Sequence, residues 1–361
     1  MIKRTPLFEI HKKLGAKIVD FAGFEMPLQY TGVVDEHLAV RNQVGIFDVS
    51  HMGEIWIKGS KALDLIQYIT TNDASRLVNG KAQYSCLPNG KGGIVDDILV
   101  YKYDDQKYFL VVNASNTDKV WNWINDNNHV GAELENSSDR IAQIAVQGPF
   151  ALKTLQKITS MNIEDLKSFN FTQTEVAGIK DVIVSNTGYT GSNGFEIYAY
   201  NSDIVDLWNA IISAGAEFQI KPCGLAARDT LRLEKGYSLY GHEIDDTTSP
   251  IESGLGWIVK INKNAEFIDK NLYVEQINNG VKRKLVGFEM IERGIPRQGY
   301  TIVDSLGKET GFVTSGTMSP SLNKPIGLGY VNTENAKIDS KIEIVIRNKS
   351  IKAKVVSLPF L

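Results

Sequence analysis

The stretch Ala82-Gln-Tyr-Ser-Cys-Leu-Pro-Asn-Gly-Lys-Gly-Gly-Ile-Val-Asp-Asp-Ile-Leu-Val-Tyr-Lys-Tyr-Asp-Asp-Gln-Lys-Tyr-Phe-Leu-Val-Val-Asn113 decides the fold. It holds three β-rich runs, at 82–87, 93–103 and 108–113, separated by Pro88-Asn89-Gly90 and by Asp104-Asp105. These turn formers leave only a few residues between runs, and connections that short join antiparallel neighbours; a parallel crossover needs a dozen or more residues. A second pair of runs, 181–186 and 195–200, flanks a glycine-rich turn in the same way. The pattern predicts antiparallel hairpins and not a doubly wound parallel sheet.

Helical periods lie between these runs. Val33, His37, Val40 and Val44 share one helical face, and Gly45 ends it. Further helices are expected after Ser60 (Leu63, Ile66, Thr70), after Asn116 or Thr117 (Trp121, Ile124), after Ser202 (Ile204, Trp208, Ile211) and, as a shorter one, after Pro222. Ser, Thr and Asn suit such starts because their side chains accept from the orphan amides of the first turn. From Arg283 onward, β runs at 285–290, 300–304, 311–315 and 341–356 predict a separate barrel or sandwich of about 80 residues. The polar stretch 262–282 is the expected linker.

The chain has 361 residues, enough for two or three domains. Its formal net charge of −3 argues against binding by broad phosphate neutralisation, so no nucleic-acid partner is expected. No apolar run reaches bilayer length, so no membrane is expected either. Cys86 and Cys223 are too few for a disulfide scaffold and too far apart for a cysteine zinc motif. His11, His37, His51, His129 and His242 are scattered, and no metal site is expected.

Four places carry candidate chemistry. Asp96 and Asp97 interrupt an otherwise aliphatic strand, and burying an unpartnered carboxylate costs several kcal/mol. Alternation sends them to opposite faces. One reading puts one of them in a cavity; the other leaves both at an exposed strand edge. The turn Thr187-Gly-Tyr-Thr-Gly-Ser-Asn-Gly194 fits neither a dinucleotide nor a Walker loop, because a strand follows it. It reads as a hairpin that needs positive φ at glycine. Beyond it, Phe195, Ile197 and Ala199 should face the core, while Glu196, Tyr198 and Tyr200 face the other way. A carboxylate among aromatic rings suits a flat heterocycle with adjacent N–H donors. Arg228, with Leu225 and Leu231 as near neighbours, is either paired to an internal acid such as Asp229 or Glu234 or aimed at a ligand. His51 alone among the histidines sits in a dense turn-to-strand motif, and Tyr84 and Trp257 are candidate stacking surfaces.

Nine segments in order resemble the glycine cleavage T-protein family of folate-dependent aminomethyltransferases: Arg4-Thr-Pro-Leu-Phe8, Val19-Asp-Phe-Ala-Gly23, Met26-Pro27, Gly45-Ile-Phe-Asp-Val-Ser-His-Met52, Gly92-Gly-Ile-Val-Asp-Asp97, Val146-Gln-Gly-Pro149, Thr187-Gly-Tyr-Thr-Gly191, Gly224-Leu-Ala-Ala-Arg-Asp-Thr-Leu-Arg-Leu-Glu234 and Thr314-Ser-Gly-Thr-Met-Ser-Pro320. The resemblance implies an α+β fold: a three-domain cloverleaf of mainly antiparallel sheets with flanking helices around a central folate channel, plus a C-terminal β-barrel. It implies a folate-binding region over 1–280, made of two intertwined domains, and the barrel over 281–361. It implies transfer of an aminomethyl carbon from the dihydrolipoyl arm of a lipoylated H protein to tetrahydrofolate, with release of ammonia. Tetrahydrofolate is then a co-substrate, and the partner supplies the lipoyl group.

By the same resemblance Asp97 is the catalytic acid, Glu196 accepts from the pterin N–H groups, and Arg228 is a second polar anchor. Met52, Tyr84, Asn113, Tyr189 and Trp257 line the ring and benzoyl portion. The N-terminus begins where the family begins, which favours a bacterial cytoplasm over a mitochondrion. The chain ends at Leu361, soon after the last strand, where family members often carry a few more residues, some of them basic. The same architecture also serves a non-catalytic folate-binding scaffold of iron–sulfur assembly, whose K-G-C-Y-x-G-Q-E motif is absent here, and the folate domain of sarcosine-type flavoenzymes, which needs a flavin domain this chain lacks. A plain interaction module leaves Asp97, Glu196 and Arg228 unexplained together.

Overall fold

A computed structural model describes residues 2–361. The chain divides into two compact units. The first comprises Met1–Ile66, Ala74–Tyr84 and Ile98–Asp229, and the second Gln67–Asp73, Ser85–Asp97 and Thr230–Leu361. The strands Lys81–Pro88 and Ile94–Asp104 and the helix Leu225–Glu234 each begin in one unit and end in the other.

The hairpins expected from the sequence form. One five-stranded sheet runs in the order Lys81–Pro88, Ile94–Asp104, Lys107–Val112, Gly53–Lys58, Glu133–Asn136. A six-stranded sheet runs Phe171–Val176, Ile179–Ser185, Gly194–Tyr200, Ile141–Gln147, Gly45–Asp48, Lys221–Pro222, antiparallel except for the last pair. The helices Val33–Asn42, Ala62–Ile69, Thr117–Asp126, Ile204–Gly215 and Leu225–Glu234 stand where their apolar periods predict them.

Both faces of the six-stranded sheet are buried. On one face Ile144, Val146, Val184, Phe195 and Ile197 pack with Leu207, Trp208 and Ile211 of the helix Ile204–Gly215. The other face meets the first sheet through an aromatic layer of Tyr101, Phe109, Phe171 and Tyr198, with Met52 and Trp56 at its margin. Alternation along Gly194–Tyr200 therefore separates two interiors, and only Tyr200, at the end, is exposed.

In the second unit a closed six-stranded barrel runs Arg283–Met290, Lys324–Asn332, Glu309–Ser319, Thr301–Asp304, Lys341–Ile346, Lys349–Val356, and closes where the last strand pairs with the first. Its core is Val286, Phe288, Ile302, Val313, Val331, Ile342, Ile344 and Val355. Closure leaves no sheet edge to template aggregation. Gly311 lies so close to the neighbouring strand that a Cβ there would sit 1.8 Å from the Tyr330 carbonyl oxygen.

One feature was unforeseen and one expectation needs correction. The polar stretch 262–282, expected as a linker, contains a helix, Lys270–Asn279, of which only Tyr273 is buried, so there was no apolar stripe to announce it. Asp96 is not at an exposed edge: it is fully buried, while Asp97 is half-buried. Among the described residues no helix is long and apolar enough to cross a membrane.

Candidate functional site

In the first unit the site is built around the hairpin that joins Ile179–Ser185 to Gly194–Tyr200. The turn wraps a fully buried glutamine, Gln147. Gln147 Nε2 donates to the carbonyls of Thr187 (3.2 Å) and Phe195 (3.4 Å), and its Oε1 accepts from Thr190 Oγ1 at 2.7 Å. A Cβ on Gly188 would lie 2.1 Å from Gln147 Oε1, and one on Gly194 would lie 2.6 Å from Nε2. Space for Gln147, more than dihedral freedom, therefore requires these two glycines; of the three in the turn only Gly191 has positive φ, +68°. Arg41 braces the outside of the turn, donating to the Thr190 carbonyl at 2.6 Å and to Ser192 Oγ at 2.9 Å.

This scaffold holds Tyr189 and Glu196. The Arg228 guanidinium carbon lies 4.7 Å from the centroid of the Tyr189 ring, a cation–π arrangement. The helix that presents Arg228 is anchored at its start. Glu36, fully buried, accepts from Gly224 N at 2.8 Å through one oxygen. Through the other it accepts from the amides of Tyr30, Thr31 and Gly32 at 2.6, 2.9 and 3.0 Å. A Cβ on Gly224 would sit 2.4 Å from the Leu28 backbone, so only glycine allows this approach.

The electrostatics are those of a buried acid facing a half-buried base. Burial pushes the Glu196 carboxyl above its usual range, opposed by a hydrogen bond from Thr187 Oγ1 (2.6 Å to Oε2) and by the Arg228 charge. Burial pulls Arg228 down, opposed first by Glu196; guanidinium basicity keeps it a cation at any ordinary pH. Arg228 is thus held by the Glu196 charge and the Tyr189 ring, and not by Asp229 or Glu234; the latter accepts from Ser319 and Ser321 instead. Arg228 Nη1 is enclosed and has no hydrogen-bond partner among the described residues. An unsatisfied buried donor on a charged group costs more than a neutral one, so the arrangement calls for an acceptor from a ligand. His51 is buried, with its Nδ1 also unpartnered. Burial lowers it to about 4, and Arg228 adds to this against the opposing charge of Asp48, so its ring is neutral at pH 7.

The other predicted residues fall as follows. Met52 borders the aromatic layer that contains Tyr198. Tyr84 and Asn113 are half-buried, on the strand Lys81–Pro88 and just after Lys107–Val112. Asp97 and Trp257 belong to the second unit. There the turn before Asp97 is tightly held. Asn89 Oδ1 accepts from the amides of Lys91 (2.9 Å) and Gly93 (3.0 Å), and Asp269 Oδ2 accepts from those of Gly90 (2.8 Å) and Gly92 (3.0 Å). A Cβ on Gly93 would sit 1.9 Å from the Asp246 carbonyl oxygen. Burial raises the Cys86 thiol, with help from Asp97 and Asp96. Trp257, on a one-turn helix, is 61% exposed. No group of three or more potential metal ligands exists among the described residues. Sequence reading gave no role to Gln147, Tyr101 or Thr187, although all three stand in the stretches that carried the fold and the resemblance.

Residues 7–263 match the GCVT N-terminal domain, and residues 283–361 match the glycine cleavage T-protein C-terminal barrel domain. The chain is 57% identical to the aminomethyltransferase of Flavobacterium psychrophilum and 56% identical to that of Bacteroides fragilis, over 359 residues and 99% of both chains in each case. The crystal structure of glycine cleavage system aminomethyltransferase T from Bartonella henselae superimposes with a TM-score of 0.94 at 32% identity, covering 100% of this chain and 98% of that one. The chain therefore belongs to the glycine cleavage T-protein family, whose members are aminomethyltransferases, and it is an enzyme of that class.

Proposed function

We propose that this enzyme transfers the methylene carbon of an aminomethyl group, carried on the dihydrolipoyl arm of a lipoylated H protein, to tetrahydrofolate. The products are ammonia, the free dihydrolipoyl thiol and 5,10-methylenetetrahydrofolate. In that exchange the carbon loses its bonds to nitrogen and sulfur and gains bonds to the two folate nitrogens, whose protons leave with the ammonia and the thiol.

The observation that carries the reading is the enclosed, unpartnered Arg228 Nη1 beside Glu196 and Tyr189. The residues present fit a pterin. Glu196 offers a carboxylate to adjacent N–H donors, Arg228 offers a donor to a ring acceptor, and the Tyr189 ring offers a flat apolar surface. The neutral His51 adds no charge that would compete with them. Asp97 is proposed as the acid that orients the accepting nitrogens and moves a proton as ammonia leaves, a kind of help worth about 10²–10⁴ in rate. Met52, Tyr84, Asn113 and Trp257 are proposed as lining residues, and the division at residue 280 belongs to the same reading. The non-catalytic scaffold loses ground, because full-length relatives at 50–57% identity carry the enzyme's name.

The test is formation of methylenetetrahydrofolate from aminomethyl-loaded H protein. Asp97→Ala should lower turnover by about 10²–10⁴ while tetrahydrofolate still binds. Undiminished turnover would remove Asp97 from the mechanism.

A further inference from the structure

Between the two sheets of the first unit, five side chains form one unbroken hydrogen-bonded line. Gln143 Nε2 lies 3.2 Å from Tyr198 Oη, which lies 3.0 Å from Tyr101 Oη. Tyr101 Oη lies 3.3 Å from Thr187 Oγ1, which lies 2.6 Å from Glu196 Oε2. Ser185 Oγ flanks Thr187 Oγ1 at 3.0 Å. Gln143 and Tyr198 are direct cross-strand neighbours, as are Ser185 and Glu196. All six side chains are buried, on four different strands and the hairpin turn.

The chemistry of the ends gives this line a direction. An amide N–H can only donate, and an ionised carboxylate can only accept. Tyr198 Oη accepts from Gln143, which leaves its own proton for Tyr101. Tyr101 then donates to Thr187, and Thr187 to Glu196. Thr187 Oγ1 has one proton and two lone pairs. With the Tyr101 proton on one lone pair, Thr187 has one proton of its own and two acceptors in reach, Ser185 Oγ at 3.0 Å and Glu196 Oε2 at 2.6 Å, and the shorter bond to the carboxylate takes it.

We propose that this line is a one-way hydrogen-bond relay that holds Glu196 as an oriented carboxylate, and that Tyr101 is its central positioning residue. The inference rests on the reading of Glu196 as a folate anchor and goes beyond it by naming what keeps that anchor charged and aimed. A single threonine hydroxyl, free to turn toward Ser185, is a weak guarantee for a buried carboxylate. A relay in which each bond polarises the next is a stronger one.

The groups facing the pair are few. Thr187 and Ser185 approach Glu196 from the neighbouring strand and turn, Tyr198 stands on its own strand, Tyr101 on the opposite sheet, and Arg228 and Tyr189 complete the ring. His51 faces Arg228 and is neutral. Glu54, on Gly53–Lys58, also acts on Tyr198, less than Tyr101 and Glu196 do, and burial raises the Glu54 carboxyl itself.

The experiment is calorimetric titration of tetrahydrofolate into the full chain from pH 5 to 8. Wild type should lose affinity on the acid side as Glu196 takes up a proton. In Tyr101→Phe that midpoint should move up by about half a pH unit or more, and Kd at pH 7 should rise about threefold to tenfold. Thr187→Val should shift both further, and Thr187→Ser, which keeps the hydroxyl, should return Kd to within about twofold of wild type. An unmoved midpoint in Tyr101→Phe overturns the relay, even if thermal stability falls. Should Tyr101→Phe fail to fold, the threonine pair decides, and equal behaviour of valine and serine overturns the relay. Glu196→Gln separates the two claims. If it leaves binding intact, the folate-anchor reading fails; if it weakens binding while Tyr101→Phe and Thr187→Val do not, the relay alone is wrong.

Discussion

Glu54 is a fully buried carboxyl, neither of whose oxygens has a hydrogen-bond partner among the described residues. It lies opposite Val111, between Met52 and Trp56 on a strand whose alternate side chains meet the aromatic layer. Burial raises its proton affinity well above the ordinary carboxyl value of 4.5. The sign of the consequence follows from linkage. Below that value both folded and unfolded chains hold the proton, and the group costs nothing electrostatically. Above it the unfolded chain ionises while the folded one keeps its proton, so stability falls as pH rises until the folded group also ionises. One proton difference is worth about 1.4 kcal/mol per pH unit, hence up to about 2.7 kcal/mol between pH 5 and pH 7. Glu54→Gln keeps shape and polarity but cannot titrate. Urea titrations of both proteins, read by hydrogen exchange at the amides of Gly53–Lys58, should show the variant gaining on wild type steadily from pH 5 to pH 7. Whatever constant offset the amide introduces drops out of that comparison. Parallel stability–pH curves would refute the reasoning, because Glu54 would then titrate alike in both states.

Two further outcomes test other parts of the structure. Arg232 Nη1 donates to Glu243 Oε2 at 2.8 Å with both side chains buried, and Arg232 also reaches the Tyr237 carbonyl and Ser315 Oγ. Glu243→Ala should destabilise the second unit by about 3–5 kcal/mol in denaturant unfolding, because it removes a buried carboxylate to which the buried Arg232 cation donates. Gly188→Ala drives a Cβ into Gln147 and should raise the Kd for tetrahydrofolate at least about tenfold in calorimetry, through displacement of Tyr189, while a mutation to alanine at Gly178, which has open space around it, should leave that Kd within about twofold.

Local features were the legible ones. Short turns rich in Pro, Asn, Gly and Asp announced the hairpins, and helices with an apolar stripe stood where the stripe lay. The strand Lys324–Asn332 escaped notice because Lys-Pro opens it and Gly327 and Gly329 interrupt its apolar run; those glycines are there because a Cβ would strike Phe288 at one position and the Phe312 carbonyl oxygen at the other. The second buried face of the sheet was half legible: alternation put Glu196 and Tyr198 together, but nothing local said that an aromatic layer covered them. The partners of Glu196 were beyond reach for a simpler reason. Tyr101 stands 86 residues before Thr187 in the chain, and Gln143 stands 55 before Tyr198, so only the pairing of sheets brings them together. Gln147 stood in one of the segments that carry the resemblance, without a role, and its place as the object the glycine turn wraps requires coordinates.

The central claim is that Arg228, with Glu196 and Tyr189, forms the folate anchor of the first unit. Arg228→Met keeps most of the side chain's volume and removes the enclosed donor and its charge. Tetrahydrofolate titrated into the full chain by calorimetry should bind saturably to wild type and about 10- to 100-fold more weakly to the variant, the range expected for a charge-assisted hydrogen bond. Equal affinity in the two proteins would contradict the claim, and absence of saturable binding to wild type would remove it.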